Sequence, residues 1–325
     1  MTGPGHRAIK AATSTSRYRS GRGSPRLWAV LFALAALATA CRSSPELSVS
    51  PPADTADEPA GLVVAGFVAF GDFGGGDHQA DVAQAMERWA ASHRVDALVT
   101  TGDNVYERGD PAQFTEQLDV PYQGLRRNRP LWVTLGNHDV SGGHGPSQLA
   151  YLGLPALPYA KKLPGVDLLF LDANRPDAAQ AAWLQEQLEA AISPFQVVVF
   201  HQPAYSCSKH DSDTRVQRQW VPVLDGFGAE LVLTGHDHTY QRFEASAGTA
   251  YVVTGAGGKS LYGIDQRCDL AARRLAAASR YHFVAVEVRA DSLTISAVDV
   301  DGQVFDRAVL TPRLTPAQPL PTTGA

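Results

Sequence analysis

Residues 62–74, LVVAGFVAFGDFG, run through nine consecutive apolar or small positions and then break into Gly71-Asp72. An apolar run without polar alternation suits a strand buried on both faces. Its abrupt end places a carboxylate at the carboxyl tip of that strand. The same arrangement recurs four times. Ala97–Thr101 (ALVTT) ends in Gly102-Asp103, and Leu131–Leu135 (LWVTL) ends in Gly136-Asn137-His138-Asp139. Phe195–Phe200 (FQVVVF) ends in His201, and Leu231–Thr234 (LVLT) ends in Gly235-His236-Asp237-His238. Between some of these runs lie helical stretches. Residues 77–92 place Val82, Ala83, Met86, Trp89 and Ala90 on one stripe, and residues 178–191 do so with Ala182, Trp183 and Leu188. Alternation of strand and helix predicts an α/β fold. From Tyr251 onward the pattern changes, and 251–254, 281–288, 292–298 and 304–310 read as consecutive antiparallel strands.

In open α/β sheets, ligands gather beyond the carboxyl ends of the strands. Five strand ends that each deliver Asp, Asn or His therefore point to one convergent site. Its donors, Asp72, Asp103, Asn137, His201, His236 and His238, include no thiolate. Carboxylate, amide and imidazole together suit iron, manganese or zinc. The set is too large for one ion with an open position, and a single shared carboxylate would divide it into two groups. Paired ions ~3.5–4 Å apart clamp an in-line displacement at phosphorus.

The ordered blocks Gly71-Asp72-Phe73-Gly74, Gly102-Asp103-Asn104-Val105-Tyr106, Gly136-Asn137-His138-Asp139, Val198-Val199-Phe200-His201 and Gly235-His236-Asp237-His238 resemble those of the calcineurin-like metallophosphoesterases. More narrowly, the chain is similar to the small, single-domain purple acid phosphatases. The resemblance covers residues 62–245 and implies a four-layer α/β/β/α sandwich with two mixed β-sheets. It implies that Asp72, Asp103, Tyr106 and His238 hold a ferric ion, with Asp103 bridging. Asn137, His201 and His236 complete the site of a divalent ion, iron, zinc or manganese. The wider superfamily has Asp-x-His in the first block, where this chain has Gly74. Tyr106 replaces the missing imidazole with a phenolate, a hard donor that suits Fe(III). Ferric phenolate is what makes that family purple. The resemblance further implies that His138 and His210 face substrate, that Asp139 orients the His138 ring, and that a metal-bound hydroxide attacks a phosphomonoester. The substrates implied are phosphorylated small molecules or phosphoproteins. A phosphodiesterase or nucleotidase with the same metals, and a surface metal- or phosphate-binding protein without turnover, are the alternatives.

The rest of the sequence frames that site. Formal net charge is −5, with 28 Lys+Arg against 33 Asp+Glu, and nothing in it marks a nucleic-acid binder. Residues 1–40 carry six basic and no acidic residues, which leaves 22 basic against 33 acidic in the remainder. Leu27–Ala40 (LWAVLFALAALATA) is a signal-type apolar segment, shorter than the ~20 residues of a spanning helix. The small residues before Cys41 resemble a bacterial lipobox, which implies an exported protein attached to a membrane through lipidated Cys41. Cleavage without lipidation and an uncleaved anchor remain open. The expected layout is an export segment over 1–41, a Ser/Pro/acidic linker over 42–61, the catalytic domain over 62–311 and a Pro/Thr tail over 312–325. Within that tail, Leu320–Gly324 (LPTTG) matches a sortase pentapeptide without the hydrophobic and basic segments that such a signal needs. In an exported protein, Cys207 and Cys268 are expected to form a disulfide. Gly255–Ser260 (GAGGKS) fails the nucleotide-loop pattern at Val253 and reads as a glycine turn at the rim of the site. Tyr205 reads as an aromatic of the site wall. His78 and His144 stand in glycine-rich loops beside the site.

Overall fold

The computed structural model describes residue 59 and residues 61–244 and 248–313. The export segment, Cys41, nearly all of the linker and the tail beyond Arg313 lie outside the described residues. The elements in chain order are β1 (Ala65–Phe70), α1 (Gln79–Ala90), β2 (Ala97–Thr100), α2 (Gln123–Arg126), β3 (Leu131–Val133), α3 (Asn137–Ser141), α4 (Gly145–Tyr151), β4 (Tyr159–Leu163), β5 (Val166–Phe170), α5 (Ala178–Glu189), β6 (Phe195–Val199), α6 (Thr214–Gln219), α7 (Val221–Phe227), β7 (Leu231–Thr234), β8 (Tyr240–Glu244), β9 (Ala250–Thr254), β10 (Arg274–Ala278), β11 (His282–Val288), β12 (Leu293–Asp299) and β13 (Val304–Leu310).

Two mixed sheets form. One has the order β13-β12-β11-β1-β2-β3 and the other β10-β8-β9-β7-β6-β5-β4. The continuous apolar runs are explained by what each strand face meets. In β1, Ala65, Phe67 and Ala69 point into a core shared with Val166, Leu168 and Phe170 of β5 and with Phe195, Val197 and Val199 of β6. The alternate residues Val68 and Phe70 point the other way, onto Val82, Ala83 and Met86 of α1. Val198 and Leu169 likewise turn outward onto Leu184 and Leu188 of α5. Three apolar layers thus separate four layers of structure, and the expected α/β/β/α sandwich is the observed fold. Burying each Val, Leu or Phe in these layers contributes ~1.5–3 kcal/mol.

The register levels the functional strand ends. Phe70 pairs with Thr100 and Thr100 with Val133, all in parallel. Val199 pairs in parallel with Leu233 in the second sheet. The residues just beyond these strands therefore emerge at one height, on the same edge of both sheets.

Three expectations are corrected. Residues 251–254 belong to β9, which pairs parallel with β7 and antiparallel with β8, so only β11, β12 and β13 form the consecutive antiparallel run. In α5 the buried stripe is Gln180, Leu184 and Leu188, at intervals of four, and Ala182 faces solvent. Tyr205 does not line the site: it packs edge-on against Tyr251, centroids 4.8 Å apart, beneath Arg273.

Candidate metal centre

Three of the five strand ends deliver their side chains through strained turns. Asp72, Asp103 and His236 have φ of 57°, 52° and 71°, in the left-handed region that non-glycine residues seldom occupy. Such conformations cost roughly 1–3 kcal/mol each and persist where surrounding structure fixes them. Here the His236 backbone N–H is shared between the two oxygens of the Asp72 carboxylate, at 3.1 and 2.9 Å. The preceding glycines allow close approach. At Gly136 a Cβ would lie 2.1 Å from Asp103 Oδ1.

Asp103 Oδ2 is the hub of the centre. On one side it accepts from Tyr106 O–H at 2.9 Å, and Tyr106 Oη is 3.4 Å from His238 Nε2. His238 Nε2 lies 3.5 Å from Asp72 Oδ1. On the other side Asp103 Oδ2 is 3.5 Å from His201 Nε2. His201 Nε2 is in turn 3.1 Å from Asn137 Oδ1 and 3.2 Å from His236 Nδ1. Asp103 Oδ1 is turned away and accepts from the backbone N–H of His138 at 2.9 Å. Of the seven side chains expected from sequence, six thus fall into two donor sets on either side of the Asp103 carboxylate oxygen. Asp72, Asp103 and His201 bring three ligand atoms all within 4.8 Å of one another.

The donor set has the chemistry of a cation site. His201 Nδ1 bonds the Thr101 carbonyl and His238 Nδ1 bonds the Ser260 carbonyl, both at 2.8 Å. In each neutral ring these bonds turn the Nε2 lone pair toward the centre. A neutral His201 Nε2 would face the Asn137 oxygen and a neutral His238 Nε2 a carboxylate, acceptor against acceptor, an arrangement that a cation, a proton or a metal ion, relieves. The titration of the metal-free cluster reflects the same crowding. Burial lifts Asp72 above the ordinary aspartate range. Burial would also lift Asp103, but the His201 and His138 rings outweigh it and hold that carboxyl low. Burial disfavours a charged His201, yet Asp103 and Asp72 raise its pKa to about 10. Burial, with the His201 and His210 charges, lowers His236 to about 3. Burial and the Asp72 and Asp103 carboxylates push the Tyr106 phenol far above its usual value. A phenolate at Tyr106 therefore needs a bound cation to form.

His138 sits at the rim, its side chain one-third exposed, with Nε2 3.9 Å from Asp103 Oδ2. Asp139 does not orient it, contrary to expectation. The buried Asp139 carboxylate takes bonds from the backbone N–H groups of Asn104, Val105 and Gly136 and from the Asn104 and Gln148 side chains. It clamps the Asp103 turn to the Asn137 turn. The His138 ring is instead held by the Glu107 carbonyl, 2.8 Å from Nδ1. His210 is exposed on the opposite rim, its ring 4.3 Å from that of His236. Its backbone N–H bonds Asp237, which Ser206 also holds. A cavity of about 270 Å³ opens beside His210 and His236, bounded by Gln202, Thr214 and Arg215. Cys207, in the same loop, is disulfide-bonded to Cys268, with Cα atoms 5.7 Å apart. His78 stacks on Tyr281 and bonds Asp81.

Several participants escaped the sequence reading. Gln117 takes the Tyr106 N–H at 3.0 Å and gives its own amide to the Tyr106 carbonyl. Gln148 reaches both Asp139 and Asn104. Tyr262 stacks on His238, centroids 4.0 Å apart. Each stands alone outside the motif blocks. The Gly255–Ser260 turn is at the rim as expected, its Lys259 N–H bonding the Asp72 carbonyl at 3.0 Å.

Residues 66–240 match the family model for calcineurin-like phosphoesterases. Tartrate-resistant acid phosphatase type 5 of Mus musculus is 30% identical over 235 residues, which cover 59% of this chain and 72% of the relative. Purple acid phosphatase 4 of Arabidopsis thaliana is 25% identical over 234 residues, 60% of this chain and 68% of that one. Among solved structures, the purple acid phosphatase PPD1 of yellow lupin superposes with a TM-score of 0.68 at 15% identity, over 76% of this chain and 53% of that one. GAP50, the anchor in the inner membrane complex of Plasmodium, superposes with a TM-score of 0.69 at 20% identity, over 78% and 90%. The two structures share the fold. With the match across all five strand-end blocks, the chain belongs to the calcineurin-like phosphoesterase family, and acid phosphatases of the tartrate-resistant and purple kinds are among its relatives.

Proposed function

We propose that this chain is an exported acid phosphatase that hydrolyses phosphomonoesters at a dinuclear metal centre. The observation that carries the reading is the position of Asp103 Oδ2 between two donor sets. Asp72, Tyr106 and His238 would hold one ion with it, and Asn137, His201 and His236 the other. Tyr106 makes the first ion ferric, and the second is divalent iron, zinc or manganese. When bound, such a pair supplies a water of lowered pKa and positive charge for the phosphoryl oxygens.

The protein's own residues do the rest. His138 Nδ1 is committed to the Glu107 carbonyl, so its Nε2 carries a proton only in the imidazolium form. That proton serves a phosphoryl oxygen as charge builds there. His210 protonates the leaving alkoxide from the other rim. Burial lowers the His210 pKa, with Asp237 opposing and Lys209 and His238 adding to it. It therefore gains its proton only at acid pH, which favours acid turnover. Asp139 acts as a positioning residue that fixes the two turns bearing Asp103 and Asn137.

Export is supported by the Cys207–Cys268 disulfide, which suits an oxidising compartment, and by the basic leader with its apolar segment and the small residues before Cys41. No helix among the described residues is long and apolar enough to cross a membrane. Metal analysis with a phosphate-release assay at acid pH tests the proposal. Two ions per chain, one of them iron, and release from a phosphomonoester are expected. No release from any ester would leave a metal-binding protein, and release from diesters alone would make it a phosphodiesterase.

A further inference from the structure

The first-ion side of the centre is an aromatic wall. Tyr262 stacks on His238, and Tyr106 Oη approaches the His238 ring nitrogen at 3.4 Å. An ammonium stands at each end of this wall. Lys209 Nζ lies 4.3 Å from the Tyr262 ring centroid, and Lys259 Nζ lies 4.4 Å from that of Tyr106. Each of these tyrosines also lies beside one rim histidine: the His210 and Tyr262 centroids are 5.6 Å apart, and those of His138 and Tyr106 are 4.2 Å apart.

The two cations are held differently. Lys259 is fixed by the glycine turn, whose backbone bonds Asp72 and His238, and its Nζ is 3.3 Å from Glu107 Oε1. Glu107 is itself largely exposed. Lys209 is exposed and has no ion-pair partner among the described residues. An ammonium over a tyrosine at an exposed site is weakly held, so an arriving anion can draw it away at little cost. A site for one phosphoryl group between two ions has no need of two further cations at its mouth. They fit an anionic group farther along the substrate.

We propose that Lys209 and Lys259 select phosphomonoesters that carry a second anionic group on the leaving alcohol, a few bonds from the scissile phosphoryl. This rests on the reading of the centre as a phosphomonoesterase. A matched pair of substrates isolates the effect: propane-1,3-diol bisphosphate and propane-1,3-diol monophosphate both release primary propoxides, which differ only in the distal group, phosphate in one and hydroxyl in the other. With the twofold statistical factor removed, the wild-type holoenzyme should favour the bisphosphate in kcat/KM by about three- to tenfold, the size of two exposed charge contacts. The preference should shrink at high salt. Lys209→Gln should cut it to about one-third, and Lys209→Gln with Lys259→Gln should bring it to about one. Calorimetric binding of propane-1,3-bisphosphonate against propylphosphonate to the same proteins gives a readout without turnover. Turnover with no bisphosphate preference, or a preference that survives in the double variant, overturns the proposal and leaves the phosphatase reading intact. Tighter bisphosphonate binding that Lys209→Gln with Lys259→Gln abolishes, in a protein that releases no phosphate, supports the lysines and overturns the phosphatase reading.

Discussion

Tyr106→Phe removes one oxygen from the centre and separates two consequences. In the metal-free protein, Tyr106 O–H donates to Asp103 Oδ2 at 2.9 Å, in a position only 6% exposed. A hydrogen bond to a charged acceptor contributes ~1.5–3 kcal/mol, and water has little room to replace this donor. The metal-free variant should therefore unfold about 3–12 °C lower, at ~2–4 °C per kcal/mol for a domain of this size. In the iron-loaded protein the visible charge-transfer band should disappear, while Asp72, Asp103 and His238 still retain some iron. Metal content, the visible spectrum and thermal unfolding are measured on the same preparations. A band of equal intensity in the Phe variant would show that Tyr106 is not the phenolate. A colourless wild type that is fully active without iron would remove the ferric assignment altogether.

Three other outcomes are expected. His138→Ala should lower kcat by ~10²–10³ with both ions retained, as for loss of one donor to developing charge; elemental analysis beside steady-state kinetics checks it, and depleted metal would mean a structural role. Reducing the Cys207–Cys268 bond, whose ends are 61 residues apart, should cost about 2–4 kcal/mol of stability and loosen the His210 loop, seen in thermal unfolding with and without reductant. Buried His282, held by Thr254 Oγ1 and the Arg280 carbonyl, has its pKa lowered by burial to about 4 from the ordinary 6.5. The unfolded chain then binds this proton more readily than the folded one, so the stability conferred by neutral His282 is complete above pH 6.5 and is lost as pH falls toward 4. The loss is about 3 kcal/mol, and denaturant titrations across that range should show a shallower acid decline in His282→Gln.

What the sequence disclosed follows from what each strand touches. β1, β2 and β7 are buried on both faces, so their runs carry no charged residue and their ends are sharp; β5, VDLLF, is as deeply buried but is broken by Asp167 and does not read as a strand from sequence. β4 reads YAKKL because it is an edge strand, and lysines on an edge discourage pairing with other chains. β10, RLAAA, is the opposite edge and is alanine-rich, with little strand propensity. Both were invisible to a search for apolar alternation. The donor residues were legible because each is locked to a strand end by a fixed local motif. Gln117, Gln148 and Tyr262 act across long loops, and nothing in local spacing marks them.

The exchange of Gly74 and Tyr106 shows how a motif difference becomes geometry. A Cβ at position 74 would lie 2.3 Å from the Asn104 carbonyl oxygen and 2.6 Å from Gln117 Oε1. Gln117 is the residue that holds the Tyr106 backbone from both its N–H and its carbonyl. Asn104 is held in turn by Asp139, Thr134 and Gln148. The absence of a side chain at 74 is thus what lets the 103–106 turn close over the first block and bring the phenol to Asp103. A side chain at 74 would collide with the Asn104 carbonyl and Gln117, the groups that set the Tyr106 backbone, so the two motif positions are structurally coupled. That coupling, absent from either block alone, gives a physical reason for reading the first ion's ligand set from both blocks together.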